Sequence, residues 1–379
     1  MNTGMNSVAL NGANRKISSG ELLNKYSTLI ALGILFIIAN FVSSHFAQPQ
    51  NLTNITMQIA VNGILAVGMT MVILTGGIDL GVGSVVGLTG IVLAMTQGYG
   101  LVPAILATLI AGMIIGLWNA FFITKFNIPP FIVTLGMMTI ARGFALYLSE
   151  GSAMPLETNR FFEALGSGYV SIGGSSIVFL LLAGALIWIG FRNLKREGAS
   201  LPAILSLVLS LGGLGLFAWV YLSYQGIPYL VLVFGGIVLW GIWILNKTTF
   251  GRYLYAIGGN AKAAYLSGVN VKANLVKVYV TSSVLAAIAG IIMTTRVGSA
   301  DPNGGNMFEL DAVAAAVIGG TSLAGGYGTI GGALIGAFII GILNNILILA
   351  NVNPYFQFIF KGLIITAAVL LDMKNKKKQ

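Results

Sequence analysis

The sequence predicts an all-α, polytopic membrane protein of about twelve spans (ten to twelve at the outside). Three observations carry that reading. Of 379 residues, 56% are hydrophobic, only 8% are charged, and the mean hydropathy is +0.91; a soluble domain usually carries about a quarter charged residues, so this chain lacks the surface to stay in water. Its 51 glycines against 9 prolines suit helices packed at close backbone approach in lipid. Apolar runs of membrane length recur along the chain, separated by short polar stretches.

A hydrocarbon core of about 30 Å needs roughly 20 apolar residues per helix. In order, the candidate spans lie near 27–47, 57–75, 80–96, 101–124, 128–148, 174–191, 201–222, 228–245, 277–295, 310–324, 329–349 and 355–371. The first follows about 26 polar residues and exceeds the apolar region of a cleaved signal, so it is expected to remain. The span at 310–324 is short, rich in small residues and opens near Asp311; a re-entrant or broken segment is the other reading, tolerated only where protein or a water-filled cavity shields its backbone. Residues 1–26 then form an amino-terminal segment, 27–371 the transmembrane domain and 372–379 a basic tail, with no separate soluble domain expected.

The net charge of +10 points to orientation rather than to nucleic acid, because the cations sit in short segments between apolar runs. Arg15, Lys16 and Lys25 precede the first span; Lys125 follows the fourth; Arg192, Lys195 and Arg196 follow the sixth. The loop 246–277 carries Lys247, Arg252, Lys262, Lys272 and Lys277 with no acid, and the end carries Lys374, Lys376, Lys377 and Lys378. Alternating twelve spans puts all of these on one face. Opposite lie 149–171, with Glu150, Glu157 and Glu163 against Arg160, and 296–311, with Asp301, Glu309 and Asp311 against Arg296. By the positive-inside rule both termini are expected in the cytoplasm of a bacterial inner-membrane protein.

Several chemistries are excluded by residue type. Cysteine is absent, and the single histidine, His45, cannot build a multi-histidine metal site. No Ser/His/Asp set, His-Glu-x-x-His motif or paired carboxylates support an intramembrane enzyme. No Gly-x-x-x-x-Gly-Lys-[Ser/Thr] loop exists, so ATP is not bound here by a P-loop and no cofactor is expected on this chain. An ion-coupled secondary transporter would need several intramembrane carboxylates or histidines, whereas only Asp79 and Asp311 come near a span.

Two internal echoes suggest a weak repeat. Gly76-Gly77-Ile78-Asp79-Leu80, followed by Gly83-Ser84, resembles Gly319-Gly320-Thr321-Ser322-Leu323, followed by Gly328-Thr329. Ile114-Ile115-Gly116-Leu117-Trp118-Asn119 resembles Ile339-Ile340-Gly341-Ile342-Leu343-Asn344, each with a proline ten positions after the Asn, at Pro129 and Pro354. Repeated halves with broken helices at their interface are a common transporter plan; chance similarity among Gly/Ile-rich segments is the other reading.

Longer stretches resemble the permease subunits of ribose/xylose/galactose-type ABC importers. They are Gly63-Ile64-Leu65-Ala66-Val67-Gly68-Met69-Thr70 running into Thr75-Gly76-Gly77-Ile78-Asp79-Leu80-Gly81-Val82-Gly83-Ser84; Gly251-Arg252-Tyr253-Leu254-Tyr255-Ala256-Ile257-Gly258-Gly259-Asn260, ending in Leu266-Ser267-Gly268-Val269-Asn270-Val271; Glu309-Leu310-Asp311-Ala312-Val313-Ala314-Ala315, ending in Gly319-Gly320-Thr321-Ser322-Leu323; and Pro354-Tyr355-Phe356-Gln357 with Lys361-Gly362. The resemblance implies a monosaccharide permease, two copies around one pathway, a cytoplasmic ATPase partner that holds ATP and Mg, and an extracytoplasmic sugar-binding protein. Residues 174–222 add two spans, which looks like xylose-type permeases. A nucleoside or other furanosyl cargo is the alternative within the same family.

The resemblance also places the ATPase-coupling segment in 246–277, with Gly251, Arg252, Gly258, Gly259, Asn260, Lys262, Ala263, Ala264, Ser267 and Gly268 as its residues. A glycine-rich turn around 261–266 makes a compact helix there, and small Ala263 and Ala264 allow close docking. Lys262 stands where the family usually has Glu, so a matching partner should present an acid or polar group. Pathway or hinge candidates are Gly76, Gly77, Asp79, Gly83, Gly319, Gly320, Asn344, Asn345 and Lys361. Asp79 is either a hinge residue or a cap on the following helix. Lys361 and Arg142 fall inside spans near one end, where snorkelling would spare about 3 kcal/mol of insertion cost. Asn344 and Asn345 either meet sugar hydroxyls or bond neighbouring helices. The loop holding Arg296, Asp301, Glu309 and Asp311 is a candidate docking surface for the binding protein.

Overall fold

A computed structural model describes residues 19–157, 159–197 and 201–376. The chain is a bundle of α1 (Ser19–Val42), α2 (Pro49–Leu74), α3 (Val82–Thr96), α4 (Leu101–Phe126), α5 (Pro130–Leu148), α6 (Arg160–Ser167), α7 (Ile172–Glu197), α8 (Leu201–Leu222), α9 (Tyr229–Lys247), α10 (Thr249–Leu266), α11 (Val271–Val297), α12 (Phe308–Ile318), α13 (Ile330–Leu349) and α14 (Pro354–Lys376). Strands β1 (Met154–Pro155) and β2 (Ser299–Ala300) form a two-residue antiparallel ladder between loops. Among the described residues, nine helices are long and apolar enough to cross a membrane, and Ser27–Val42 and Tyr355–Ile364 are shorter apolar stretches of α1 and α14. The basic residues of the first 18 positions and the last three lie outside the described residues.

The candidate span at 310–324 is corrected. Helix α12 has only 11 residues, about 16 Å at the helical rise, half the depth of a hydrocarbon core. Glycines with left-handed backbone at Gly320, Gly325 and Gly326 end it and hold 319–329 irregular. That backbone is shielded by protein, with Thr321 and Ser322 buried and the Gly326 N–H donating to the Leu74 carbonyl at 3.0 Å.

Helix α2 is the axis of the bundle, buried almost continuously from Leu52 to Leu74. It runs antiparallel to α11, with Gly68 against Ser282 and Gly77 against Tyr279. Around this pair the chain repeats itself. The series α2, α3, α4, α5 is matched by α11, α12, α13, α14: a long helix, a short one, then two long ones. Helix α11 packs on α2, α3 and α4, and α2 packs on α11, α12 and α13. Because the two leading helices are antiparallel, the repeats are inverted.

The second echo falls on corresponding helices, α4 and α13. The first does not: Gly76 follows the first helix of one repeat and Gly320 the second of the other. Their likeness comes from a shared helix ending. Gly76 (φ +82°) donates to the Ile73 carbonyl and Gly77 to Val72; Gly320 (φ +89°) donates to Val317 and Thr321 to Ala316. This doubly bonded ending needs a left-handed residue that glycine adopts without a Cβ clash, so the equivalence is Gly76 with Gly320 rather than with Gly319.

Helices α7 and α8 pack on each other, and α8 reaches the core through Tyr221, whose hydroxyl donates to Thr56 Oγ1 at 3.0 Å. Their outer faces, with Leu180, Leu181 and Trp188, are exposed. The extra pair is thus an addition to the outside of the repeats.

Candidate functional site

At one end of the bundle α9 turns into α10 at Thr248, whose Oγ1 accepts from the Gly251 N–H at 3.1 Å. Within α10 the backbone at Asn260 becomes extended (φ −161°, ψ 101°), and its Oδ1 accepts from the Ala263 N–H at 3.0 Å. Asn260 therefore caps a second short helix over 261–266, where the glycine-rich turn led the sequence analysis to expect one; the cap itself was not foreseen. Arg252, Gly259, Asn260, Lys262, Ala263, Ser267 and Gly268 are exposed. Tyr265 and Leu266 are exposed at 69% and 75% although both are large and apolar; sequence reasoning left them out because nothing distinguished them from core residues. Ala264 is corrected: it is buried against Ile257, Val269 and Val271 and is not free to meet a partner. Between this segment and the ends of α4 and α11 lies a cavity of about 830 Å³, lined by Asn127, Lys262, Tyr265, Asn270 and Lys272 among others.

The exposed segment is joined to both helix breaks. The backbone of Gly258 lies against the Leu74 carbonyl and the Gly326 N–H, so a Cβ there would overlap both. Gly325 lies against Gly76 and Gly258. The Tyr255 hydroxyl donates to the Gly328 carbonyl at 2.8 Å. Candidates predicted separately, Gly76, Gly258 and the segment after Gly320, thus meet at one junction.

Asp79 stands in the break between α2 and α3, 1% exposed. One oxygen accepts from the Gly81 N–H at 3.1 Å and the other from the Ser282 hydroxyl at 3.0 Å. It is not the side-chain cap of α3, whose amides receive no such bond; it ties the break to α11. Thr134 of α5 closes the same loop, its Oγ1 accepting from the Leu80 N–H at 3.1 Å. Gly77 abuts the Tyr279 hydroxyl, which has no hydrogen-bond partner.

Deeper in the bundle, Lys361 does not snorkel. Its Nζ pairs with Asp311 Oδ2 at 2.9 Å, with the side chains 15% and 3% exposed. The Asn62 amide donates to the same oxygen at 3.3 Å, and Asn344 lies beside that carboxylate. Asn345 does something different: it exchanges side-chain bonds with Asn51 at 3.0 and 3.2 Å, clasping α13 to α2. Arg142 likewise is no lipid anchor, since its guanidinium donates to the Pro302 and Gly304 carbonyls. Gly83 faces Glu309 and Gly305, and Gly319 backs onto Gly332. Glu309 and Asp311 are buried, which removes them from the candidate docking loop; Arg296 and Asp301 stay exposed on it. Asn62 was missed in the sequence because a lone Asn in an apolar run carries no periodic signal.

A family model described as "Branched-chain amino acid transport system / permease component" matches residues 51–369. Among curated proteins, the chain is 37% identical over 369 residues to the xylose transport system permease protein XylH of Haemophilus influenzae, covering 94% of this chain and 98% of that protein. It is 37% identical over 347 residues to XylH of Escherichia coli, covering 88% and 87%. It is 39% identical over 364 residues to the ribose import permease protein RbsC of Bacillus subtilis, covering 95% and 96%. No solved structure matches.

Proposed function

The chain belongs to the family of branched-chain amino acid transport system / permease components, and on that footing we propose that it carries a pentose, xylose before ribose, into the cell. It is the permease subunit of a sugar ABC importer in the inner membrane, a transport subunit rather than an enzyme. In this reading two copies surround one pathway, an ATPase subunit binds the α10 end from the cytoplasm, and a sugar-binding protein delivers cargo to the opposite face. The lysines and arginines gathered at the α10 end support that orientation.

The observation that carries the coupling is the glycine junction. Gly258 meets the end of α2 and the irregular segment after α12 backbone to backbone, with no flexible side chain between them to absorb a displacement of 261–266. Such rigid contacts turn a small shift into a change of packing between two discrete arrangements. The cargo follows from the relatives named for xylose and ribose, and from the outer α7–α8 pair that resembles xylose-type permeases.

The complex reconstituted in vesicles with its ATPase and binding protein should take up labelled xylose only with ATP, with vanadate blocking uptake and an ionophore leaving it unchanged. Uptake that an ionophore collapses would return the protein to the secondary transporters. Docking at α10 is tested by Leu266→Asp, an exposed position whose change leaves the fold alone. The variant should reach the membrane at parental levels yet lose co-purification with the ATPase. Co-purification at full yield removes this face from the interface.

A further inference from the structure

We propose that Asn62, Asp311, Asn344 and Lys361 form a hydroxyl-reading site for the sugar at mid-membrane depth; this rests on the sugar-permease reading above. The four side chains come from four helices, α2, α12, α13 and α14. Asn62 is at the middle of the 26-residue α2, and Asp311 lies in the first turn of the half-length α12. Ionisable groups at such depth are costly, and they mark transport pathways where they persist. Broken helices stand beside binding sites in transporters built from inverted repeats.

The chemistry selects the ligand class. One carboxylate, one ammonium and two amides sum to no net charge, so the site does not favour an anion or a cation. It offers both acceptors and donors, which is what a neutral polyol presents in return. A sugar hydroxyl can donate to Asp311 and accept from Lys361 or an amide, taking the place of the pair's own bond at 2.9 Å.

A second observation points the same way. Asn62 is only 7% exposed, yet its Oδ1 has no hydrogen-bond partner. A buried carbonyl oxygen left unbonded is unusual in a settled core. It is a spare acceptor on a side chain whose amide already bonds Asp311, open to a hydroxyl donor. The unpartnered Thr321 and Ser322 hydroxyls stand at the other end of α12, toward the Gly258 junction. A purely structural pair would explain Lys361 and Asp311 but not the unbonded Asn62 Oδ1.

The test uses the complex with its ATPase and binding protein in vesicles. Two variants are compared, Asn62→Leu and the neutral pair Asp311→Asn with Lys361→Met. Both should still co-purify with the ATPase. Xylose uptake should fall on the order of tenfold or more, because a site built to bond a hydroxyl loses that much discrimination when a partner goes. Asn62→Leu should also change the uptake ratio of xylose to ribose and arabinose. Parental uptake and an unchanged ratio in both variants overturn the site. So does an equal loss for every sugar together with loss of the ATPase subunit, which would make the cluster a structural clasp. If the parental complex hydrolyses ATP yet moves none of these sugars, the sugar reading itself fails, independently of the variants.

Discussion

Gly258→Ala cuts transport about tenfold or more, whereas the same change one residue later, Gly259→Ala, leaves uptake close to the parental rate. The two glycines are neighbours on α10 and differ only in what a methyl group would meet. At Gly258 it would overlap the Leu74 carbonyl and the Gly326 N–H, both backbone atoms that no rotamer change can move aside. At Gly259 nothing lies within 4 Å. Overpacking of a tight contact typically costs about 1–3 kcal/mol. Here the strain falls where α10 meets both helix breaks, so uptake should drop by a factor of ten or more, roughly what 1.4 kcal/mol implies at a coupling step. Helix propensity cannot produce the contrast, since it favours alanine at both positions. Labelled-sugar uptake at matched membrane levels decides it, and equal rates for the two variants would remove the junction from the coupling route.

Lys361→Met alone destabilises the protein strongly, and adding Asp311→Asn recovers most of the loss. Removing one member of a buried ion pair leaves the other charge without compensation, at a cost of about 3–5 kcal/mol. Asp311 is 3% exposed and retains only amide partners once the ammonium is gone. Making the carboxylate an amide removes the stranded charge. Thermal unfolding in detergent should show a large fall in melting temperature for the single variant and a near-parental value for the double. Similar values for both would mean that water or lipid headgroups reach the site freely.

The all-helical membrane fold was legible because lipid imposes it: long apolar runs and few charges leave few alternatives. The helix over 261–266 was legible for a local reason, the glycines that flank it. What the sequence hid depends on three-dimensional neighbours. Ala264 reads as a small docking residue, but helical phase turns it inward beside Ile257. Lys361 reads as a cation near a membrane end, and its partner lies 50 residues away on a half-helix. The Gly76 and Gly319 stretches look like one repeat copied twice because both encode a left-handed helix ending, a local need that says nothing of ancestry. The true repeat is carried by helix order and packing, and sequence similarity records it in the stretches ending at Asn119 and Asn344 and the prolines that follow them.

Between the two mirrored four-helix units lie α6 to α10, and of these α10 sits at one end of the bundle. Mirrored halves alone would leave the inward and outward shapes on an equal footing, with no preference for either direction of flow. The α10 helix breaks that balance, because it touches the break after α2 and the break after α12 together. Under the coupling proposed above, such a one-sided contact gives one direction of flow an advantage that an even-handed frame lacks.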